Sequence, residues 1–188
     1  MVGPAVRRTA VPMAATALVA AKLLLAALPA SAESVDFDSD VWVKRGGQVV
    51  EHEGRKCLTG FAYLDGVDID SGVVEVDIIA TGATSYPGIV FHVEGDRAYE
   101  WIYVRPHRAN QYPDAVQYAP TTNGISSWQL CSGDGLTAPL ALAENEWTHL
   151  RLEFAGTQAK LFVGDDPSPA LHVKELRRGA GGGSVGLR

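Results

Sequence analysis

The sequence is poor in cysteine and methionine, with two of each among 188 residues, and it has no surplus of basic residues. Lysine and arginine together number 16 against 22 aspartates and glutamates, which gives a formal net charge of −6 at pH 7. Basic residues occur at most in pairs, such as Arg177–Arg178. Nucleic acid and anionic membranes bind clustered lysine and arginine, so this composition argues against both as partners.

The two cysteines, Cys57 and Cys131, also lack the spacing of a metal or redox site, because neither belongs to a Cys-x-x-Cys motif or lies near other metal-ligand residues. In an exported protein the pair could form a disulfide bridge, which would stabilise the fold by a few kcal/mol. The sequence leaves open whether their Cα atoms come within bridging distance.

Long apolar runs are confined to the N-terminus. Arg7–Arg8 precede a run of alanine, leucine and valine, and Pro29 leads into the small residues 30–32, an order typical of a signal peptide cleaved after Ala32. Lys22 interrupts the run, so each apolar piece is shorter than the roughly 20 residues of a spanning helix. We therefore predict a secreted or periplasmic protein without membrane association after cleavage, an uncleaved anchor being the alternative.

The mature chain, residues 33–188, keeps 156 of the 188 residues, which suits a single domain. Loss of three basic residues with the leader takes the formal charge from −6 to −9. The mature chain lacks helical periodicity over three turns. Alternation of apolar and polar residues in Gly72–Ala80 and Trp147–Phe154 instead predicts strands, and about a dozen short strands predict an all-β, two-sheet antiparallel sandwich.

Aromatic and hydrogen-bonding side chains are most concentrated between Tyr99 and Leu130. As a strand, YEWIYVR would point Ile102 and Val104 to the core and its aromatic residues and Arg105 to the other face. Sugar rings stack on tyrosine and tryptophan, and their hydroxyls suit guanidinium and carboxamide groups. Packing of this face against a second layer is the alternative. The predicted sugar-binding residues are Trp101, Tyr103 and Trp128 for stacking and Arg105, His107, Gln117 and Asn123 for hydrogen bonding; Trp128 is expected in a strand, residues 127–131.

Acidic residues offer a second kind of site. Glu75 and Asp77 alternate on one strand, as the catalytic carboxylates of one group of glucan hydrolases do, but the second glutamate of that motif is replaced by Ile79 or Ala80. Glu94 or Glu100 with His92 or His107 would be another acid and base pair. Three aspartates, Asp65, Asp68 and Asp70, could hold calcium, although solvated turn residues are the better interpretation. We expect no other cofactor.

The segments GVVEVDI, GIVFH, YEWIYVRPH, QYAP, NGISSWQL, NEWTHLRLEF, AKLFVGD and SVGLR, in this order, resemble the concanavalin A-like lectin/glucanase superfamily. The likeness covers Val41 to Leu187 and is closest to laminin G-like and 3-keto-disaccharide hydrolase-like domains of secreted bacterial proteins. It implies a jelly roll whose concave sheet faces the ligand and carries Tyr103, Arg105, His107, Gln117 and Trp128. Relatives continue past Val185–Leu187 into one more strand beside the first, so we expect either a sandwich whose first strand has an open edge or a truncated gene product.

Three functions remain open on the sequence. The first is a secreted, lectin-like module that binds a glycan on its concave face. The second is a glycoside hydrolase acting on a glycan or keto-disaccharide, which would need two carboxylates about 5 to 10 Å apart in a groove. The third is an adhesion module for another protein. The sequence leaves the oligomeric state open.

Overall fold

The structure is a computed structural model that describes residues 33–80 and 83–188. The predicted signal peptide lies outside these residues. In the two described ranges, no helix is long and apolar enough to cross a bilayer.

Strands make up nearly all of the regular secondary structure, as the alternating patterns predict. In chain order the described strands are β1 (Trp42–His52), β2 (Arg55–Leu64), β3 (Ser71–Ile79), β4 (Gly88–Val93), β5 (Glu100–Val104), β6 (Val116–Tyr118), β7 (Thr121–Thr122), β8 (Ile125–Ser126), β9 (Thr137–Ala138), β10 (Trp147–Ala155), β11 (Gln158–Val163), β12 (Leu171–Val173) and β13 (Ser184–Leu187). Two short 3₁₀ helices, Pro106–Arg108 and Trp128–Leu130, follow β5 and β8.

These strands form two main sheets and one small hairpin. The seven-stranded sheet has the order β1-β2-β13-β4-β5-β6-β9, the four-stranded sheet has the order β12-β11-β10-β3, and β7 pairs with β8. All pairs of neighbouring strands are antiparallel. The prediction of an all-β, two-sheet antiparallel sandwich is therefore confirmed.

The core fills the space between the inner faces of the two sheets. Ile102 and Val104 of β5 are fully buried there, as predicted, together with Leu150 and Leu152 of β10. Alternation along each strand places these side chains on one face, and removing them from water is the main force that holds the sheets together. On β4 and β5 the other face is buried as well, in a second cluster of packed side chains.

The register of β5 fixes which residues share the remaining face of the seven-stranded sheet. Tyr103 lies opposite Gly88 of β4 and Gln117 of β6. A Cβ at Gly88 would lie 2.3 Å from the carbonyl oxygen of Ile102, so glycine is the residue that lets β4 approach β5 here. Tyr103 and Gln117 consequently stand side by side.

The segment around Trp128 differs from its prediction as a strand. Leu130 N–H donates to the Ser127 carbonyl at 2.9 Å and Cys131 N–H donates to the Trp128 carbonyl at 3.2 Å, so residues 127–131 make one tight turn. Trp128 lies in the resulting 3₁₀ helix. A strand pattern and a single helical turn cannot be distinguished over so few residues.

At the margin of the seven-stranded sheet lies β1, which pairs with β2 over nearly its whole length. Its register shifts between Arg45 and Gly46, where both residues lie opposite Phe61. This shift is a β-bulge, and it bends the edge of the sheet.

Candidate functional site

The predicted stacking residues of β5 lie on the outer face of the seven-stranded sheet, the face turned away from the core. Trp101 and Tyr103 stack on each other with ring centroids 4.0 Å apart and an interplanar angle of 27°. Both rings are buried, and the guanidinium of Arg188 lies 4.4 Å from the centroid of Trp101. These two rings therefore form a packed layer on the sheet.

Arg105, the residue after β5, is 7% exposed and connects three side chains. Its Nη1 donates to Asp114 Oδ2 at 2.7 Å, and its Nη2 donates to the Tyr103 hydroxyl at 3.1 Å and to Gln117 Oε1. The Tyr103 hydroxyl in turn donates to Gln117 Oε1 at 2.6 Å. Burial raises the pKa of Tyr103, which keeps this hydroxyl protonated as a donor. We call Tyr103, Arg105, Asp114 and Gln117 the buried polar network.

Gln117 links this network to the turn that carries Trp128. Its Nε2 donates to the backbone carbonyl of Trp128 at 2.9 Å and also to that of Cys131. With Oε1 accepting from Tyr103 and Arg105, the carboxamide, which is 2% exposed, uses both its donors and its acceptor inside the protein. The backbone of the Trp128 turn is thus fixed to the sheet.

The ring of Trp128 is the part of this arrangement that meets solvent. Trp128 is 47% exposed, and the guanidinium carbon of Arg105 lies 5.8 Å from its ring centroid. A cation close to an indole ring attracts its electron-rich face. Trp128 therefore presents an exposed aromatic surface that the buried polar network holds in position.

On the β4 side, Tyr86 and His107 form a second exposed aromatic group. Tyr86 makes edge-on contacts with Tyr103 at 5.9 Å and with His107 at 5.5 Å between ring centroids. Both Tyr86 and His107 are exposed. His107 was predicted, whereas Tyr86 was missed because it lies in a loop before β4, about 17 residues from Tyr103 in the sequence.

A third exposed aromatic group, Tyr112, was also missed. The guanidinium of Arg108 lies 4.1 Å from its centroid, and Arg108 Nε donates to Asp114 Oδ1 at 2.6 Å. Asp114 thus pairs with both Arg105 and Arg108. Two guanidinium groups share one carboxylate, so this part of the outer face carries a local positive charge within an acidic protein.

Asn123, the remaining predicted residue, lies in the exposed turn between β7 and β8 and has a positive φ of 54°. Its backbone carbonyl accepts a hydrogen bond from Arg97 Nη2 at 2.9 Å. This contact ties the turn to Arg97 in the connection between β4 and β5, and Asn123 is not part of the buried polar network.

The candidate catalytic pair Glu75 and Asp77 lies on the other sheet, on the solvent face of β3. His149 of β10 stands between them, with Nδ1 2.9 Å from Asp77 Oδ1 and Nε2 3.8 Å from Glu75 Oε1. Arg55 Nη1 lies 3.4 Å from Asp77 Oδ2. All four side chains are roughly half exposed, so the arrangement is a surface ion-pair network, separate from the aromatic residues of the outer face.

The second candidate acid and base set is mostly enclosed. Glu100 is fully buried, accepts from the Tyr118 hydroxyl at 2.7 Å and from Arg178 N–H at 3.0 Å, and has a pKa raised by burial. His92 is also buried, and burial lowers its pKa. Glu94 is exposed and pairs with Arg178 at 2.6 Å. Glu100 and His92 therefore face packed protein.

Two other predictions concern the cysteines and the aspartates around Asp68. Cys57 in β2 and Cys131 at the end of the Trp128 turn are both free thiols. Within residues 33–80 and 83–188, no three His, Cys, Asp or Glu side chains come together as a metal site, and the aspartates around Asp68 are no exception.

Comparisons with known proteins address the fold. No protein-family model and no curated protein matches the chain. Among solved structures, the chain is similar to the carbohydrate-binding module CBM66 from Bacillus subtilis, with a TM-score of 0.60 and 17% sequence identity over 78% of this chain and 86% of that module. At this identity the likeness supports the sandwich fold, while membership of the concanavalin A-like superfamily stays a prediction.

Proposed function

We propose that the protein is a secreted or periplasmic carbohydrate-binding module whose ligand lies on the outer face of the seven-stranded sheet. The observation that carries this proposal is the exposed ring of Trp128, fixed through its backbone to the buried Gln117. Flat apolar faces of sugar rings stack on such rings. The structural likeness to a carbohydrate-binding module adds support from the fold.

In this proposal the sequence-predicted residues divide into two roles. Trp128 and His107, with the additional Tyr86 and Tyr112, would touch the sugar, because these side chains are exposed. Trp101, Tyr103, Arg105 and Gln117 would position them, because they are buried and bonded or stacked among themselves. A site whose parts are already fixed loses little conformational entropy when ligand binds.

Export is part of the same proposal. The signal-peptide pattern of residues 1–32 would bring the module to the compartment in which polysaccharides and surface glycans are found. Its acidic composition suits a neutral or weakly charged ligand better than a strongly anionic surface.

A glycan array followed by titration calorimetry would test the site. The Trp128→Ala variant should bind the selected glycan about tenfold more weakly, because an aromatic stacking contact contributes on the order of 0.5 to 1.5 kcal/mol beyond the area it buries. Its melting temperature should stay close to that of the unmodified protein, because the ring is about half exposed.

Leu130→Ala is the matched control, since Leu130 is 78% exposed on the same 3₁₀ helix and is not aromatic. It should leave glycan affinity unchanged. Absence of any bound glycan, or equal affinities of the Trp128→Ala variant and the unmodified protein, would contradict the proposed function.

A further inference from the structure

The outer face of the seven-stranded sheet holds a surplus of positive charge beside its exposed aromatic rings. Asp114 accepts from Arg105 Nη1 through Oδ2 at 2.7 Å and from Arg108 Nε through Oδ1 at 2.6 Å. Protein donors therefore occupy both oxygens of this carboxylate. Two guanidinium groups share one negative charge, so one positive charge here has no carboxylate of its own among the residues that the structure describes.

Arg108 carries that surplus charge at the surface. The side chain of Arg105 is 9% exposed, and both of its Nη atoms bond within the buried polar network, whereas the side chain of Arg108 is 32% exposed. Of the five N–H donors of Arg108, only the one on Nε has a hydrogen-bond partner in the described part of the chain. Its two Nη atoms are thus available to a ligand.

The neighbours of Arg108 hold its guanidinium in one orientation. Asp114 binds the Nε side, and the guanidinium carbon lies over the ring of Tyr112, 4.1 Å from the ring centroid. A guanidinium fixed in this way loses little conformational entropy when it binds a ligand. The edge formed by Nη1 and Nη2 carries parallel N–H groups, which match the two oxygens of a carboxylate. Arg108 therefore presents a preformed carboxylate-binding edge.

This edge belongs to the same surface as Trp128. The guanidinium carbon of Arg105 lies 5.8 Å from the centroid of the Trp128 ring, and Arg105 and Arg108 meet on Asp114. Trp128 thus contacts the first arginine and Tyr112 contacts the second. A short oligosaccharide that stacks on Trp128 can accordingly bring a neighbouring sugar unit to the edge of Arg108.

The charge of the whole chain limits the number of negative charges on the ligand. The predicted mature chain has a formal charge of −9, and such a chain repels a polyanion. A single surplus guanidinium compensates a single carboxylate. The surface therefore suits a glycan with isolated carboxylates among neutral sugars and disfavours a heavily sulfated chain.

We propose that the ligand is an acidic glycan and that Arg108 binds the carboxylate of a hexuronic acid unit within it. This inference rests on the proposed function, because it names the class of sugar for the site around Trp128. The carboxylate accepts two hydrogen bonds from Nη1 and Nη2 of Arg108, while a neutral sugar of the same glycan stacks on Trp128.

An array of oligosaccharides that contain uronic acids tests the inference, each printed beside its carboxyl-reduced counterpart, in which a CH₂OH group replaces the carboxylate. In titration calorimetry the protein should bind the best uronic acid glycan about tenfold more tightly than its reduced counterpart, because reduction removes the charge-assisted hydrogen bonds. Arg108→Ala should abolish this difference and leave the affinity for the reduced glycan unchanged. Its melting temperature should stay close to that of the unmodified protein, because the Arg108 ion pair is partly exposed.

Lys160→Ala is the matched control, because it removes one positive charge from β11 of the four-stranded sheet. This variant should keep the preference for the uronic acid glycan. Added salt should weaken binding of the uronic acid glycan more than that of its reduced counterpart, since salt screens an exposed ion pair.

Equal affinities of the unmodified protein for the two members of each pair would overturn the inference, and so would an unchanged preference in Arg108→Ala. Stronger binding of sulfated glycans than of uronic acid glycans would also overturn it. If neutral glycans then still bind and lose affinity in Trp128→Ala, the proposed function stands without the acidic sugar. Failure to bind any glycan would contradict the proposed function and this inference together.

Discussion

Replacing Arg105 by alanine tests whether the buried polar network supports the Trp128 surface. The substitution removes the guanidinium together with its hydrogen bonds to Asp114, Tyr103 and Gln117. Each hydrogen bond that involves a charged group contributes on the order of 1.5 to 3 kcal/mol. The Asp114 side chain is 25% exposed and keeps Arg108, so water and the second cation reduce the penalty. We expect a net loss of about 2 to 4 kcal/mol in the free energy of unfolding.

Urea denaturation followed by far-ultraviolet circular dichroism measures this loss. In thermal unfolding it corresponds to a fall of about 4 to 16 °C in the melting temperature for a domain of this size. Arg108→Ala is the matched control, because Arg108 shares Asp114 and is more exposed; its cost should stay below about 1 kcal/mol. Arg105→Lys keeps the charge without the planar fork and should fall between the two. An Arg105→Ala cost no greater than that of Arg108→Ala would refute the structural role of the network.

Three further predictions follow from other parts of the molecule. Gly88→Ala should destabilise the fold by at least about 2 kcal/mol in denaturation, because the new methyl group would collide with the backbone of β5; a neutral substitution would show that β4 and β5 separate easily. Burial raises the pKa of Glu100 in the folded protein above its ordinary value of 4.5. Its contribution to stability is therefore present below pH 4.5 and is lost as the pH rises through the higher folded pKa. The Glu100→Gln variant should lack this loss in denaturation series above pH 4.5, and an unchanged slope would rule out Glu100 as its source. Expression with the native leader should yield a product beginning at Glu33, and N-terminal sequencing that finds residue 1 or 2 in the exported fraction would contradict signal cleavage.

The sequence predicted the alternation of β5 correctly because side-chain direction in a strand depends only on position. Ile102 and Val104 face the core and Trp101 and Tyr103 face the opposite side. The degree to which that opposite side is covered depends on segments far away in the sequence. Residues 105–114 and the Trp128 turn supply the partners that bury Arg105 and Gln117, and no local pattern gives their positions.

The exposed rings were harder to predict for a related reason. Tyr86 and Tyr112 lie in loops, where no periodicity assigns a side chain to a face. The sequence also left open the register between β4 and β5. In the structure Gly88 lies opposite Tyr103, which places Tyr86 beside the buried polar network and His92 at the other end of the hairpin. A shift of one residue in this register would have turned the side chains of β4 to the opposite face of the sheet.

The bulge in β1 affects how the protein behaves at high concentration. An unpaired strand margin can recruit further molecules into a growing fibril, and natural sheets counter this with bends and charges on the outermost strand. β1 has both, since its ladder breaks between Arg45 and Gly46, and Lys44, Arg45 and Glu51 place charges along it. A flat neighbouring strand cannot follow the bent ladder without losing hydrogen bonds, so this edge of the sheet disfavours fibril growth at high protein concentration.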